Sequence, residues 1–332
     1  MEYQAWYKIG SGLHNQKQSK VRLFFIKTLI MSLRRLYHKL FCVMQWNIGF
    51  AKGDIGEVIK DKGHHLSFKW LKIADSKISF ADPFIFKSPN GNLKVLFEKF
   101  SMIDLAKYGK IMLGEVDTDF STAVEKEILD KKKHVSYPFT FAENEKTYII
   151  PENREGGKLV CYEFDFDNSR FINERVIIDD LPLLDATVLV HNNRYWIFAT
   201  LGDHKFDHSK LYIYYADSLF GPYKAHPNNP VKYGLDGTRP AGNIIKVNEQ
   251  LYRPAQNCSI HYGESISINK ITKLTENEFT EEFYCKLSAD KKSEYPDGIH
   301  TINALENIIV VDGIKMLFKP FTKLKLFIKK RV

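Results

Sequence analysis

Residues Leu184–Thr200 read LDATVLV, HNN, RYWIFAT: two apolar runs of strand length on either side of a short turn that carries two Asn. β-Branched and aromatic residues fill both runs, and Asn tolerates the left-handed backbone of a tight turn. The stretch therefore predicts a β-hairpin. The same layout recurs four times: ADPFIF, KSPNGN, LKVLFEKF from Ala81; SYPFTF, AENE, KTYIIPE from Ser136; RPAGNIIK, VNE, QLYRPAQN from Arg239; and GIHTINAL, EN, IIVVDG from Gly298. The residues that head the five units, Asp82, Tyr137, Asp185, Arg239 and His300, stand 55, 48, 54 and 61 residues apart. That interval suits a four-stranded propeller blade, since a lone blade exposes an apolar face that only neighbouring blades can cover. The fold read from this pattern is all-β, a five-bladed β-propeller over residues 46–313, with an N-terminal amphipathic helical extension over 1–45 and a basic apolar tail over 314–332.

Composition agrees. The chain has 332 residues, 44% of them hydrophobic, with 24 Phe, 17 Tyr and 4 Trp. Such a supply of rings favours pleated surfaces and excludes disorder, collagen and coiled coil. Cys42, Cys161, Cys258 and Cys285 are scattered without CxxC spacing, so neither a zinc site nor a disulfide framework is expected, and a reducing compartment is.

The net charge of +8 is concentrated at the ends. Between Tyr3 and Gly53 there are nine basic residues and no acid, and from Lys315 to Val332 seven more basic residues and again no acid. The middle is therefore net acidic. From Lys20 to Met44, the basic residues Lys20, Lys27, Arg34, Arg35 and Lys39 fall on one side of a helix at 100° per residue, while Leu29, Leu33, Leu36, Tyr37, Leu40 and Met44 fall on the other. Charges interrupt every window of about 20 residues that a membrane span requires, and no small-residue cleavage site follows to mark a signal peptide. Both ends are expected to rest on an anionic membrane surface at its cytoplasmic face, as a peripheral protein; a helix packed on the body with a solvated basic face is the alternative. No nucleic-acid motif accompanies the charge, so no nucleic-acid partner is expected. Met31 offers an alternative start.

The first strand of each blade lines a propeller's channel, so Asp82, Asp185, Arg239 and His300 should converge there, with Glu98, Glu152 and Gln256 added from the ends of second strands. Carboxylates beside Arg and His make a polar pocket in an apolar scaffold. No GxGxxG or P-loop is present, and Asp117-Thr118-Asp119 is a bare DxD of the kind chance supplies. His191, His204 and His208 sit in turn-like sequence and read as surface. No metal and no resident cofactor are expected.

The strings ADPF, VLFEKF, SYPF with IIPE, DAT with WIFAT, ADSLFGPY with HPNNP, TRPAGN with YRPAQN, and GIHT with VVDG carry a resemblance. From Trp46 to Gly313 the chain resembles the N-terminal propeller of plant glucosamine inositolphosphorylceramide transferases and of related bacterial surface-polysaccharide proteins. More distantly it is similar to five-bladed arabinanase and β-xylosidase glycosidases. The resemblance implies a carbohydrate-active site. In those glycosidases an Asp opens blade one, an Asp opens blade three and an acid Glu opens blade four. Asp82 and Asp185 match the first two, but Arg239-Pro240-Ala241-Gly242 stands at the third, where a glycosidase needs a protonated carboxyl. Arginine binds phosphate bidentately, and this points to a glycosyltransferase or related glycan-assembly enzyme acting on a glycolipid, lipopolysaccharide or capsule type of carbohydrate, with a nucleotide-sugar donor. Asp82 would be base or nucleophile, Asp185 and Glu152 its catalytic partners, and Arg239 and His300 the holders of the donor. Glu98 and Gln256, with Glu152, would contact sugar hydroxyls, and Tyr137 would offer a stacking face. A five-bladed glycoside hydrolase and a non-catalytic sugar-binding propeller are the alternatives.

Overall fold

Strand pairing sorts the chain into five sheets around an axis. The computed structural model describes residues 33, 36–38, 40–62, 66–73, 75–102, 108–117, 119–120, 122–202 and 209–329. Blade one is β3 (Ile78–Lys87), β4 (Leu93–Ser101), β5 (Lys110–Val116) and β6 (Thr122–Leu129); blade two is β7 (Ser136–Glu143), β8 (Lys146–Glu152), β9 (Leu159–Asp165) and β10 (Arg170–Ile178). Blade three holds β11 (Leu183–His191), β12 (Arg194–Leu201) and β13 (Lys210–Ala216), with β14 (Lys224–Ala225) and β15 (Lys232–Tyr233) both pairing β13. Blade four runs β16 (Asp236–Pro240), β18 (Gln250–Asn257), β19 (Ser265–Leu274) and β20 (Phe279–Ser288), with β17 (Ile245–Val247) added to β18. All five predicted hairpins are the inner pairs of these blades.

Blade five is built from both ends of the propeller. β21 (Gly298–Leu305) and β22 (Ile308–Phe318) pair with β1 (Cys42–Lys52), which carries β2 (Lys69–Trp70) on its outer edge. The helix read from Lys20 to Met44 therefore stops sooner: Cys42, Val43 and Met44 are already strand. Trp46, Ile48 and Phe50 alternate along β1 and are buried, and β1 covers the edge of β22 that would otherwise stand unpaired. A short helix, α1 (Ile55–Lys60), follows, capped at its start by the Asp54 carboxylate accepting from the Glu57 N–H.

The core lies in the seams between blades. Phe50 and Ile48 meet Phe80 and Phe97 between blades five and one, and Leu96 and Leu113 meet Ile149 and Phe164 between one and two. Phe139 and Ile150 meet Val188 and Ile197, Trp196 and Phe198 meet Leu251 and Ile271, and Ile266 and Ile268 meet Ile302 and Val311 at the other three seams. The aromatic surplus is used here. Phe80 packs edge-on to Phe97 at 5.1 Å, Phe84 on Tyr137 at 4.8 Å and Phe86 on Phe164 at 5.3 Å, geometry that adds to simple burial.

Residues up to Val43 and from Met316 form a second unit. Within it, Leu33, Leu36–His38, Leu40 and Phe41 are helical, and α2 (Pro320–Lys329) follows β22. Tyr37 stacks on Phe318 at 6.1 Å, and the Lys319 N–H donates to the Phe41 carbonyl at 2.8 Å. Met31, the basic residues from Lys8 to Lys39, Thr118, His204 and His208 lie outside the described residues.

Candidate active site at the propeller axis

One backbone device, repeated around the axis, builds the site. In blade one, Ala81 pairs with Glu98 and Phe84 with Leu96, so three steps along β3 match two along β4. The same β-bulge lies between Ser136 and Phe139, between Leu184 and Thr187, and between Ile299 and Ile302. The residue inside it is Asp82, Tyr137, Asp185 or His300. The first three take left-handed backbone, with φ of 52°, 42° and 49°. Such a cost of order 1–3 kcal/mol persists only where surrounding bonds hold the residue. Blade four is wider: four steps from Asp236 to Pro240 match two from Asn257 to Ala255, with Gly237 taking φ 74°. The extra residue brings Arg239 to the axis.

The bulges turn their N–H groups toward carboxylates of a neighbouring strand or blade. Asp312 on β22 accepts from the N–H of Asp82 at 2.9 Å, of His300 at 3.1 Å and of Thr301 at 2.9 Å. Asp82 accepts from the Tyr137 N–H at 3.2 Å and the Thr301 hydroxyl at 2.9 Å, and Glu152 from the Asp185 N–H at 3.1 Å. The left-handed residues and the acids thus require each other.

Side chains complete the network. Arg239 grips Asp185 with Nε and with Nη2, the latter at 3.0 Å, and reaches Glu152 at 3.4 Å. Gln256 donates to Asp185 at 2.8 Å and to the Pro240 carbonyl at 3.0 Å. His300 Nδ1 meets Asp312 at 2.6 Å and its Nε2 lies 3.5 Å from Asp82. Oxygen and nitrogen atoms of Asp82, His300 and Asp312 lie within 4.8 Å of one another, close enough for a cation, but the bonds just named already engage both carboxylates and Nδ1.

A cavity of about 320 Å³ opens over this network. Its wall carries the carboxyls of Asp82, Glu98 and Glu152, the cations or potential cations Arg239, His300 and His134, and the rings of Trp46, Phe100 and Tyr262. Burial pushes Asp82 up to about 6, against the lowering influence of His300. Burial also raises Glu98 well above the ordinary Glu range, helped by the charges of Asp82 and Glu152, and raises Glu152, helped by Asp185. At Asp185 burial acts upward too, but the charge and hydrogen bonds of Arg239 outweigh it and the carboxyl lies below its usual value. His300 is lowered by burial and raised more by Asp312 and Asp82. Glu98 Oε1 is buried with no hydrogen-bond partner, facing His134 Nε2 at 3.4 Å. His134 Nδ1 accepts the Gly109 N–H at 3.2 Å, which leaves Nε2 as the protonated nitrogen of the neutral ring.

Of the residues expected to meet at the axis, Asp82, Glu98, Glu152, Arg239 and His300 share the cavity wall. Asp185 and Gln256 stand behind it, buried, as the supports of Arg239. Tyr137 offers no stacking face: its ring is fully buried against Phe84, and its hydroxyl receives the Gly242 N–H and bonds Thr187, both at 2.8 Å. The aromatic surfaces come instead from Trp46, Phe100 and Tyr262, which the hairpin pattern does not single out. Trp46 lies 4.2 Å and Tyr262 5.1 Å from the His300 ring, centre to centre. Asp312 was also missed, although the VVDG string contains it. Asp119 of the DxD pairs with Lys69 at 3.0 Å on the surface.

Gly263 allows the ring wall to close. A Cβ there would lie 2.4 Å from Trp46 Cη2 at a φ of +68°. Gly263→Ala is expected to cost about 2–4 kcal/mol through strain and overpacking, read from the denaturant midpoint; an unchanged midpoint would mean the wall is looser than described.

Comparison with known proteins agrees with this architecture. The family model described as "Glucosamine inositolphosphorylceramide transferase 1, N-terminal" matches residues 52–302. Glucosamine inositolphosphorylceramide transferase 1 of Oryza sativa subsp. japonica is 34% identical over 158 residues, 46% of this chain and 21% of the rice protein; that of Arabidopsis thaliana is 33% identical over 171 residues, 50% and 22% respectively. The chain thus matches about a fifth of the length of these curated relatives. Among solved structures, a family 43 β-1,3-galactosidase superposes with a TM-score of 0.52 at 10% identity, covering 66% of this chain and 82% of that one. A family 117 glycoside hydrolase of Zobellia galactanivorans gives 0.50 at 13%, covering 85% and 92%. At such identities the likeness is one of fold. The family match, which takes in most of the chain, the inner strands of blades one to four and the first half of blade five's, is the decisive finding: the protein belongs to the glucosamine inositolphosphorylceramide transferase 1, N-terminal family.

Proposed function

We propose that the protein acts in glycan assembly, transferring a glycosyl unit on a glycolipid or cell-surface carbohydrate of the lipid-linked, lipopolysaccharide or capsule type, with one sugar held in the axial cavity. The observation that carries this reading is the pair of carboxyls in one small aromatic-walled cavity: Glu98, kept protonated by burial, and Asp82, which ionises near 6. A volume near 320 Å³ sits at the lower end of the ~300–1,000 Å³ of small-molecule sites. Glu98 donates a proton to the leaving glycosidic oxygen, and Asp82 takes the proton of the attacking hydroxyl. Glu152 is less suited to the acid's role because its Oε2 is engaged by the Asp185 N–H and Arg239.

The donor is the point where geometry and the sequence-based expectation part. Arg239 is already neutralised by Asp185 and Glu152, and an acidic wall disfavours a nucleotide diphosphate. A glycosidically linked donor, whose leaving oxygen needs a proton, fits better. The full-length relatives' transferase activity supports the glycolipid class of substrate, although the match covers only a fifth of them. Incubation of the full chain with lipid-linked or capsule-type glycans plus a labelled acceptor should yield a labelled product whose formation requires the acceptor. Release of free sugar without acceptor would favour the hydrolase. Saturable glycan binding with no turnover would make the propeller a binding module.

A further inference from the structure

Exposed apolar surface is concentrated at the chain ends. Of seventeen large apolar side chains exposed among the described residues, nine belong to residues 33–41 and 318–328. Leu33, Leu36, Tyr37 and Leu40 follow helical i, i+3, i+4, i+7 spacing and are 57%, 51%, 45% and 50% exposed. On α2, Phe321, Leu324 and Ile328 fall within an arc of about 60° and are 80%, 58% and 55% exposed. An amphipathic helix normally turns such a stripe inward, so these two stripes point to a partner. The stacking of Tyr37 on Phe318 and the bond from the Lys319 N–H to the Phe41 carbonyl join the two ends into one unit.

We propose that this unit is a docking face for an anionic lipid bilayer, with both stripes lying in the interface plane. The charge selects that occupant. Residues 3–53 and 315–332 carry sixteen Lys and Arg and no Asp or Glu, and each basic residue near an anionic leaflet adds attraction that salt screens. Among the described residues no helix is long and apolar enough to cross a membrane. Anionic lipid is enriched in the cytoplasmic leaflet, and that is the surface this unit is proposed to meet. The proposal is independent of the glycan chemistry above.

The test is flotation of the full chain with phosphatidylcholine vesicles, with or without phosphatidylglycerol as roughly a third of the lipid. The chain floats with the anionic vesicles, stays behind with the neutral ones, and is released in ~1 M salt. Joint replacement of Phe321, Leu324 and Ile328 by Ser weakens flotation by about tenfold or more while the unfolding midpoint stays put, as these side chains are exposed. Asp82→Asn floats like the parent, which separates this proposal from the catalytic one. A parent chain that ignores anionic vesicles, or a triple variant that floats as well as the parent, overturns it. Self-association of the parent by light scattering, abolished in the triple variant and without vesicle binding, would assign the face to a second copy and likewise overturn it.

Discussion

Arg239→Met is expected to lower the unfolding free energy by about 3–5 kcal/mol, the usual consequence of deleting one partner of a buried ion pair and leaving the others uncompensated. Met roughly preserves the volume, so the loss reports charge. The orphaned groups are Asp185 and Glu152, both buried, with Asp185 also held in left-handed backbone. The pH dependence of the loss follows from the same pairing. In the parent, Arg239 holds Asp185 below its ordinary value despite burial, so its contribution is present above the unfolded carboxylate range and fades only as pH falls through the depressed folded value. In the variant, burial is no longer outweighed and both acids titrate upward despite the remaining bonds from Gln256 and the Asp185 N–H, so stability decreases with rising pH. The gap between parent and variant should be widest near neutrality and narrow towards pH ~4. Chemical denaturation at several pH values measures it. A constant gap would mean that Arg239 acts through packing alone.

Asp82→Asn should reduce glycosyl transfer by roughly 10²- to 10⁴-fold, the span typical of a positioned acid or base, with little change in fold. The amide can satisfy its surroundings: its oxygen accepts the Tyr137 N–H in place of Oδ2, and its NH₂ faces the Thr301 hydroxyl, which can reverse to accept. Glu98→Gln should cost a similar factor, and the two variants differ in their pH profiles. Transfer by the parent declines as pH falls through about 6, where Asp82 takes up a proton, and declines again on the alkaline side as Glu98, raised by burial, ionises. Gln at 98 should abolish the alkaline limb and retain the acidic one. Undiminished turnover in Asp82→Asn, or an alkaline limb that survives in Glu98→Gln, would remove these residues from their roles.

Much of the architecture was legible in the chain because each inner hairpin states its own pattern. Two β-rich runs around an Asn or Gly turn recur at near-constant spacing, and one such unit cannot bury its face alone. The members of the site that head a unit, Asp82, Asp185, Arg239 and His300, could be found from that repeat, and so could Glu98 and Glu152 at the ends of second strands. Tyr137 follows the same logic and ends elsewhere, because a bulge aims its amide at Asp82 while its ring turns into the seam against Phe84. Position in a repeat specifies where a backbone goes, and the direction of a ring is chosen by the neighbouring blade.

Local order thus determined the five inner hairpins and the convergence of most of their leading residues, since alternation and turn chemistry act over a few residues. Only the tertiary structure decided which groups share a wall. Trp46 reaches His300 because β1 closes the last blade, and Arg239 reaches Asp185 because blade four carries one extra residue in its bulge. The ionisation of Asp82, Glu98 and Glu152 was likewise settled by burial among one another. Those interactions join residues tens to hundreds of positions apart, and no local pattern encodes a distance between charges that only the closed ring brings together.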